Sequence, residues 1–187
     1  MPEAVSEERR RGPAVGVAPT MRVRSASAPP PGRAVNEDLV FRFGPLVGVL
    51  DGATVPEGFD TGCVHGPQWY VRHLAARLGL AEHGYWVAAA DPDAAYQAVV
   101  GTLPLRGPEA LRRAVLLTDG ASVAVEEFGL LDWADLLDVV SAGGPGALVD
   151  LVRAAERDHP DRPRRHKPAD DASAVYCEFT RSDDSGA

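Results

Sequence analysis

The chain has 187 residues, enough for one domain with a real core, and 45% of them are hydrophobic and 25% charged, as in an ordinary globular protein. The net charge of -8 disfavours nonspecific binding to nucleic acid or to an anionic membrane, both polyanions, and suits a protein that gathers cations. No apolar run approaches the length of a membrane span, and the first residues lack the apolar stretch of a signal peptide, so the expected location is the cytoplasm. Cys63 and Cys177 form no CxxC and have no paired histidines nearby, so they are expected to be reduced thiols.

Residues 1–20 carry "EERRRG" and no hydrophobic period, and are read as a disordered tail. A single domain is expected over 21–180, followed by a polar tail at 181–187. "MRVRSAS", from Met21, alternates as a strand does. "DLVFRF" (38–43) and "LVGVLD" (46–51) read as a hairpin joined at Gly44-Pro45. A helix is expected from Pro67, with Trp69, Val71, Leu74, Ala75 and Leu78 at helical spacing. "YWVAAA" (85–90) is a short strand candidate, and Asp91-Pro92 opens another helix. "AVLLTD" is the next strand. Helices follow near "DWADLLDVV" and "GALVDLVRAAERD", split by Ser141 to Pro145, and "ASAVYCEF" (172–179) is the last strand. Trp69, Trp86 and Trp133 sit on apolar faces and are expected in the core. The basic run "RPRRH" (162–166) reads either as a phosphosubstrate contact or as a solvated loop.

Acidic residues recur at the strand boundaries: Glu37 and Asp38 in "VNEDLVF", Asp51 in "GVLDGA", Asp119 in "LLTDGA", and Asp170 and Asp171 in "PADDASAV". Each Asp-Gly alone is an ordinary turn dipeptide. Taken together they predict one cluster. Carboxylates held rigidly at adjacent strand ends repel one another unless a cation lies between them, and all-oxygen donors suit Mg²⁺ or Mn²⁺. Glycine after each aspartate lets the backbone turn and offers its carbonyl to a metal.

The ordered set of Arg33 with Glu37-Asp38, then "VGVLDG", "LLTDGAS" and "DDASAVYC" resembles the metal-dependent serine/threonine phosphatases of type 2C. "DTGCVHGPQWYVRHLAARL" and "FGLLDWADLL" look like an actinobacterial-style branch of that family, and the resemblance runs from about Met21 to Phe179. It implies an α+β fold, a β-sandwich of two antiparallel sheets flanked by helices. It implies two Mn²⁺ or Mg²⁺ ions whose shared water attacks phosphorus in line, on a phosphoserine or phosphothreonine protein substrate. By motif match Asp51 would bridge the ions, the Gly52 carbonyl would bind one, and Asp119 and Asp170, with Asp171 second to it, would complete the other's ligands. Glu37 and Asp38 would hold metal-bound waters, and Arg33 would grip the phosphate.

The chain departs from that pattern between Asp51 and Asp119, where the family carries a long block with a Gly-Asp-Ser motif and this chain has only residues 52–118 and no such motif. The expectation is a depleted second sheet, whose exposed apolar face would favour a homodimer. The strand count also fits one open sheet under helices. Where some members of the family have a proton-donating histidine, this chain has Ala53; His65 is the candidate substitute, though a histidine at a helix start is more often a capping or surface residue. The alternative to an active phosphatase is a non-catalytic module of the same ancestry that binds metal or a regulatory partner.

Overall fold

The computed structural model describes residues 19–52, 69, 72–73, 100–159 and 169–180. The expected strand at 85–90, most of the two helices between Pro67 and Val100, the run at 162–166, both tails, Cys63 and His65 lie outside the described residues.

Five strands and three helices are defined within that range: β1 (Thr20–Ala28), β2 (Leu39–Phe43), β3 (Leu46–Leu50), β4 (Arg113–Leu117), α1 (Asp119–Glu126), α2 (Trp133–Gly143), α3 (Pro145–Asp158) and β5 (Ala172–Thr180). They form an α+β arrangement of two small antiparallel sheets, one of three strands ordered β1-β5-β4 and one of β2 and β3 alone. β5 is the axis of the molecule. It pairs with β1 from Thr20↔Thr180 to Ala28↔Ala172, and with β4 from Arg113↔Glu178 to Leu117↔Ala174. A strand bonded on both edges and covered on both faces needs no polar side, and "ASAVYC" is buried without interruption.

The pleat divides the β5 side chains between two layers. Ala172, Ala174 and Tyr176 face the helices, where Val123, Ala124, Leu136, Val140, Leu148 and Val152 complete the main core. Arg24 on β1, in register with Tyr176, lies over that ring at 4.8 Å and donates to the carbonyls of Val140 and Ser141 at the end of α2. The Val140 carbonyl also accepts the Gly144 N–H at 3.0 Å, while Ser141 lies among the last carbonyls, which a helix leaves without an intrahelical partner, and the cation suits that end of the dipole. Ser173, Val175 and Cys177 occupy the opposite face of β5, the side on which the β2–β3 hairpin packs. Burial there pushes the Cys177 thiol up, and the charge of Arg42 on β2 partly offsets it.

Gly44, at φ 57°, and Pro45 close the hairpin between the partners Phe43 and Leu46. A positive φ at the first central position, followed by proline's fixed negative one, is the type II′ pattern that matches strand twist. Asp132 caps α2 by accepting from the Asp135 N–H at 2.8 Å. The break expected over Ser141 to Pro145 shrinks to Gly144 at φ 84°: α2 runs on to Gly143, and Pro145 opens α3.

Two expectations are corrected. Trp133 is 51% exposed and Trp69 39%, so neither is a core residue; Trp133 is the first residue of α2, where the side chain projects from the helix start rather than from its buried stripe. Asp119 is not the last residue of the expected strand "AVLLTD", since β4 ends at Leu117. It is the opening of α1, an eight-residue helix that follows β4 directly and contributes Val123 and Ala124 to the core.

Candidate metal centre

All the acidic strand ends come to one edge of the molecule. Asp51 follows β3, Asp119 follows β4 and opens α1, Asp170 and Asp171 precede β5, and Glu37 and Asp38 precede β2. Because β5 is central and β4 and the hairpin adjoin it, the strand termini that carry these residues share an end of the structure.

The two Asp-Gly pairs owe their glycines to close approach rather than to turning. Neither Gly52 nor Gly120 has a positive φ. A side chain at Gly52 would strike the Glu37 backbone oxygen, and one at Gly120 would strike the Asp171 backbone oxygen. Each glycine therefore lets a second acidic segment lie directly against the strand end that carries an aspartate. The repeated motif has one steric purpose, served twice.

The electrostatics follow from this crowding. Partial desolvation, then the charges of Asp38 and Asp119, push Asp51 up to about 6. Asp51 and Asp119 also share a side-chain hydrogen bond, which between two carboxylates requires a proton, and Asp51 accepts from the Asp119 backbone as well. Burial, then the charges of Asp38, Asp170 and Glu37, push Asp171 up to about 6 against the help of a hydrogen bond from the Glu37 backbone. Asp38 is raised by burial and by the charge of Asp170, and is held down by hydrogen bonds from the Ser173 and Thr118 hydroxyls and the Gly52 backbone. Asp170 Oδ1 accepts from the Asp171 N–H at 3.1 Å.

One atom stands out. Asp171 is 5% exposed, and its Oδ1 is buried without a hydrogen-bond partner. A buried carboxylate oxygen left unsatisfied is costly, and a cation is the partner that all its acidic neighbours would share.

The other sequence-selected residue, Arg33, is exposed in a turn whose N–H bonds the Pro30 carbonyl at 3.1 Å. The charges that act on Asp38, Asp51 and Asp171 come from carboxylates. Among the described residues no group of three or more His, Cys, Asp or Glu side chains is already arranged around a metal position. The donor chemistry fits a hard divalent cation, while the side chains converge as a repelling cluster rather than as a closed ligand shell.

Compared with protein-family models, with curated proteins and with solved structures, the chain matches none.

Two residues that motif reasoning passed over support this edge. Thr118 donates its hydroxyl to Asp38 Oδ2 at 2.8 Å and accepts from the Ser173 N–H at 3.0 Å. Arg153, on α3, pairs with the buried Glu156 at 2.8 Å, and its other terminal nitrogen reaches the carbonyls of Ala28, Pro29 and Asp170 at 3.0, 3.0 and 2.9 Å. It ties the end of β1 to the segment that carries the Asp170-Asp171 pair. The signal for Thr118 was its place between an apolar strand and an aspartate. Arg153 gave none, since its partners are backbone oxygens distant in sequence.

Proposed function

We propose that the acidic edge binds divalent cations, Mn²⁺ or Mg²⁺, and that the domain is a metal-dependent phosphatase of the type 2C kind acting on phosphoserine or phosphothreonine in proteins. The observation that carries the reading is a run of interacting carboxylates from four chain segments, with Asp119 and Asp38 acting on Asp51 and Asp38, Asp170 and Glu37 acting on Asp171, whose buried Oδ1 has no hydrogen-bond partner. Asp51, Asp119, Asp170 and Asp171, with the Gly52 carbonyl, are the residues that would hold the ions, and Glu37 and Asp38 would accept from their waters. When bound, the ions supply a water acidic enough to attack phosphorus at neutral pH. The chain's own contribution is rigid placement. Sheet ends and the close contacts at Gly52 and Gly120 fix the carboxylates before any ligand arrives. Arg33, on an exposed turn at the start of the segment leading to Asp38, is free of sheet constraints and is suited to meet a phosphate bidentately.

Calorimetric titration with Mn²⁺, wild type beside Asp51→Ala, with aryl phosphate turnover read on the same samples, tests the proposal. Binding and turnover that the substitution abolishes are the expected result. Binding without turnover supports the non-catalytic module instead, and no binding by the wild type refutes the cation site.

A further inference from the structure

The hydroxyl of Thr118 lies where a helix N-cap normally uses it. Thr118 is the N-cap of α1, with extended backbone angles, and such a residue ordinarily turns its side-chain oxygen to the N–H two or three positions on. Here it makes no capping bond. The N–H groups of Ala121 and Ser122 go to the Thr118 carbonyl, at 3.0 and 3.1 Å. The hydroxyl instead crosses 80 residues of sequence to donate to Asp38 Oδ2 at 2.8 Å, and takes the Ser173 N–H in return. Thr118 also donates its own N–H to the Ser173 carbonyl at 3.0 Å, so β4, β5 and the segment before β2 meet at this one residue.

Thr118 and Asp38 are both buried, at 3% and 7% exposure. Asp38 Oδ2 at 2.8 Å is the short acceptor of this hydroxyl, against 3.5 Å to the Ser173 carbonyl, and with the Ser173 N–H donating to it the proton is directed at Asp38. Asp38 is fixed from other sides by the Ser173 hydroxyl and the Gly52 N–H. Ser173 is itself tied to the Ser27 hydroxyl at 2.6 Å, and Asn36 donates to Ser27 at 2.7 Å and accepts from the Asp38 N–H at 3.0 Å. The result is a closed polar ring around one carboxylate, built from strands that share no local sequence.

We infer that Thr118, supported by Ser173, is a positioning residue that sets the direction of Asp38 and through it the cation affinity of the acidic edge. The inference rests on the proposed cation site. Outer hydrogen bonds to groups around a metal typically change affinity by about 10- to 100-fold when removed. The helix loses its usual side-chain cap to supply this bond, a local sacrifice that stability of α1 alone does not explain.

The test is Mn²⁺ calorimetry on the full chain for wild type, Thr118→Val, Thr118→Ser and Val140→Ala, with the melting temperature of each metal-free protein. Valine keeps the shape and removes the hydroxyl; serine keeps the hydroxyl; Val140→Ala weakens the core away from the acidic edge. The expected result is Mn²⁺ affinity lowered about tenfold or more in Thr118→Val, in line with such outer contacts, and retained in Thr118→Ser and Val140→Ala. Unchanged affinity in a folded Thr118→Val would overturn the inference while leaving the cation site standing. Equal losses in Thr118→Val and Val140→Ala at matched melting temperatures would overturn it too, as a general stability effect. If Thr118→Val does not fold, Thr118→Ser decides: wild-type affinity supports the inference, and a loss overturns it. No binding by the wild type overturns the site and the inference together.

Discussion

Neutralising Asp171 should stabilise the metal-free protein, against the usual expectation for a change at a buried polar residue. Asp171 is raised from an ordinary 3.8 to about 6, by burial first and by Asp38, Asp170 and Glu37 next. A rise of that size corresponds to about 3 kcal/mol between the two protonation states. The folded protein therefore holds a proton on Asp171 that the unfolded chain releases. Between the two values the native state binds more protons, so stability grows as pH falls from 7 towards 3.8 and is lost as pH rises through about 6. From pH 7 to pH 5 this one group adds up to about 1.4 kcal/mol, reduced to about half by solvent at the open side of the edge. Asp171→Asn carries no such proton. Urea unfolding with a chelator present, at pH 7 and pH 5, should show the variant more stable at pH 7 by about 1–3 kcal/mol. Its advantage should shrink at pH 5. Parallel stabilities for the two proteins across that range, or a variant weaker at pH 7, would refute the crowded, repelling edge described above.

Mn²⁺ affinity should fall as pH drops through about 6, because Asp51 and Asp171 take up protons there and a ligand carboxylate must give its proton up; titrations at pH 7.5 and 5.5 measure this, and a flat profile would exclude both from the ligand set. Gly120→Ala should destabilise by about 2 kcal/mol or more although alanine is the better helix former by about 1 kcal/mol, because the new side chain meets the Asp171 backbone. Thermal melts read the sign directly, and a gain in stability would show that the two segments do not touch.

Much of the fold was legible because its strands announce themselves. The alternation of "MRVRSAS" and the mostly apolar run of "ASAVYC" predict β1 and β5 nearly to their ends, and Gly44-Pro45 predicts the hairpin. The carboxylates were legible as a set, since each ends or begins such a strand. The helix α1 was not. "DGASVAVE" opens with a turn dipeptide and is rich in small and β-branched residues with weak helical preference, and packing rather than propensity makes it helical. The role of the two glycines was half legible: the sequence shows them beside aspartates, but close approach depends on partner segments outside their own strand, at Glu37 for Gly52 and at the distant Asp171 for Gly120. The exposure of Trp133 escaped for the opposite reason, since an apolar residue beside a helix cap gives no sign of which way it faces. Two sheets are present as the sandwich expectation requires, but the second is a bare hairpin over the described residues, so the full sandwich belongs with the proposal.

The pairing of β1 with β5 places Thr20 beside Thr180. Among the described residues the three-stranded sheet thus joins the earliest strand to the last, and β4 has no partner but β5. During synthesis the hairpin can close as soon as it emerges, whereas the three-stranded sheet must wait for β5 to leave the ribosome. Loop closure on that scale makes folding slow relative to helical proteins of the same size. The acidic edge is assembled in that same last step, because Asp170 and Asp171 arrive with β5. The nascent chain therefore carries its acidic strand ends apart until β5 has emerged, and is ready to concentrate cations only from then on.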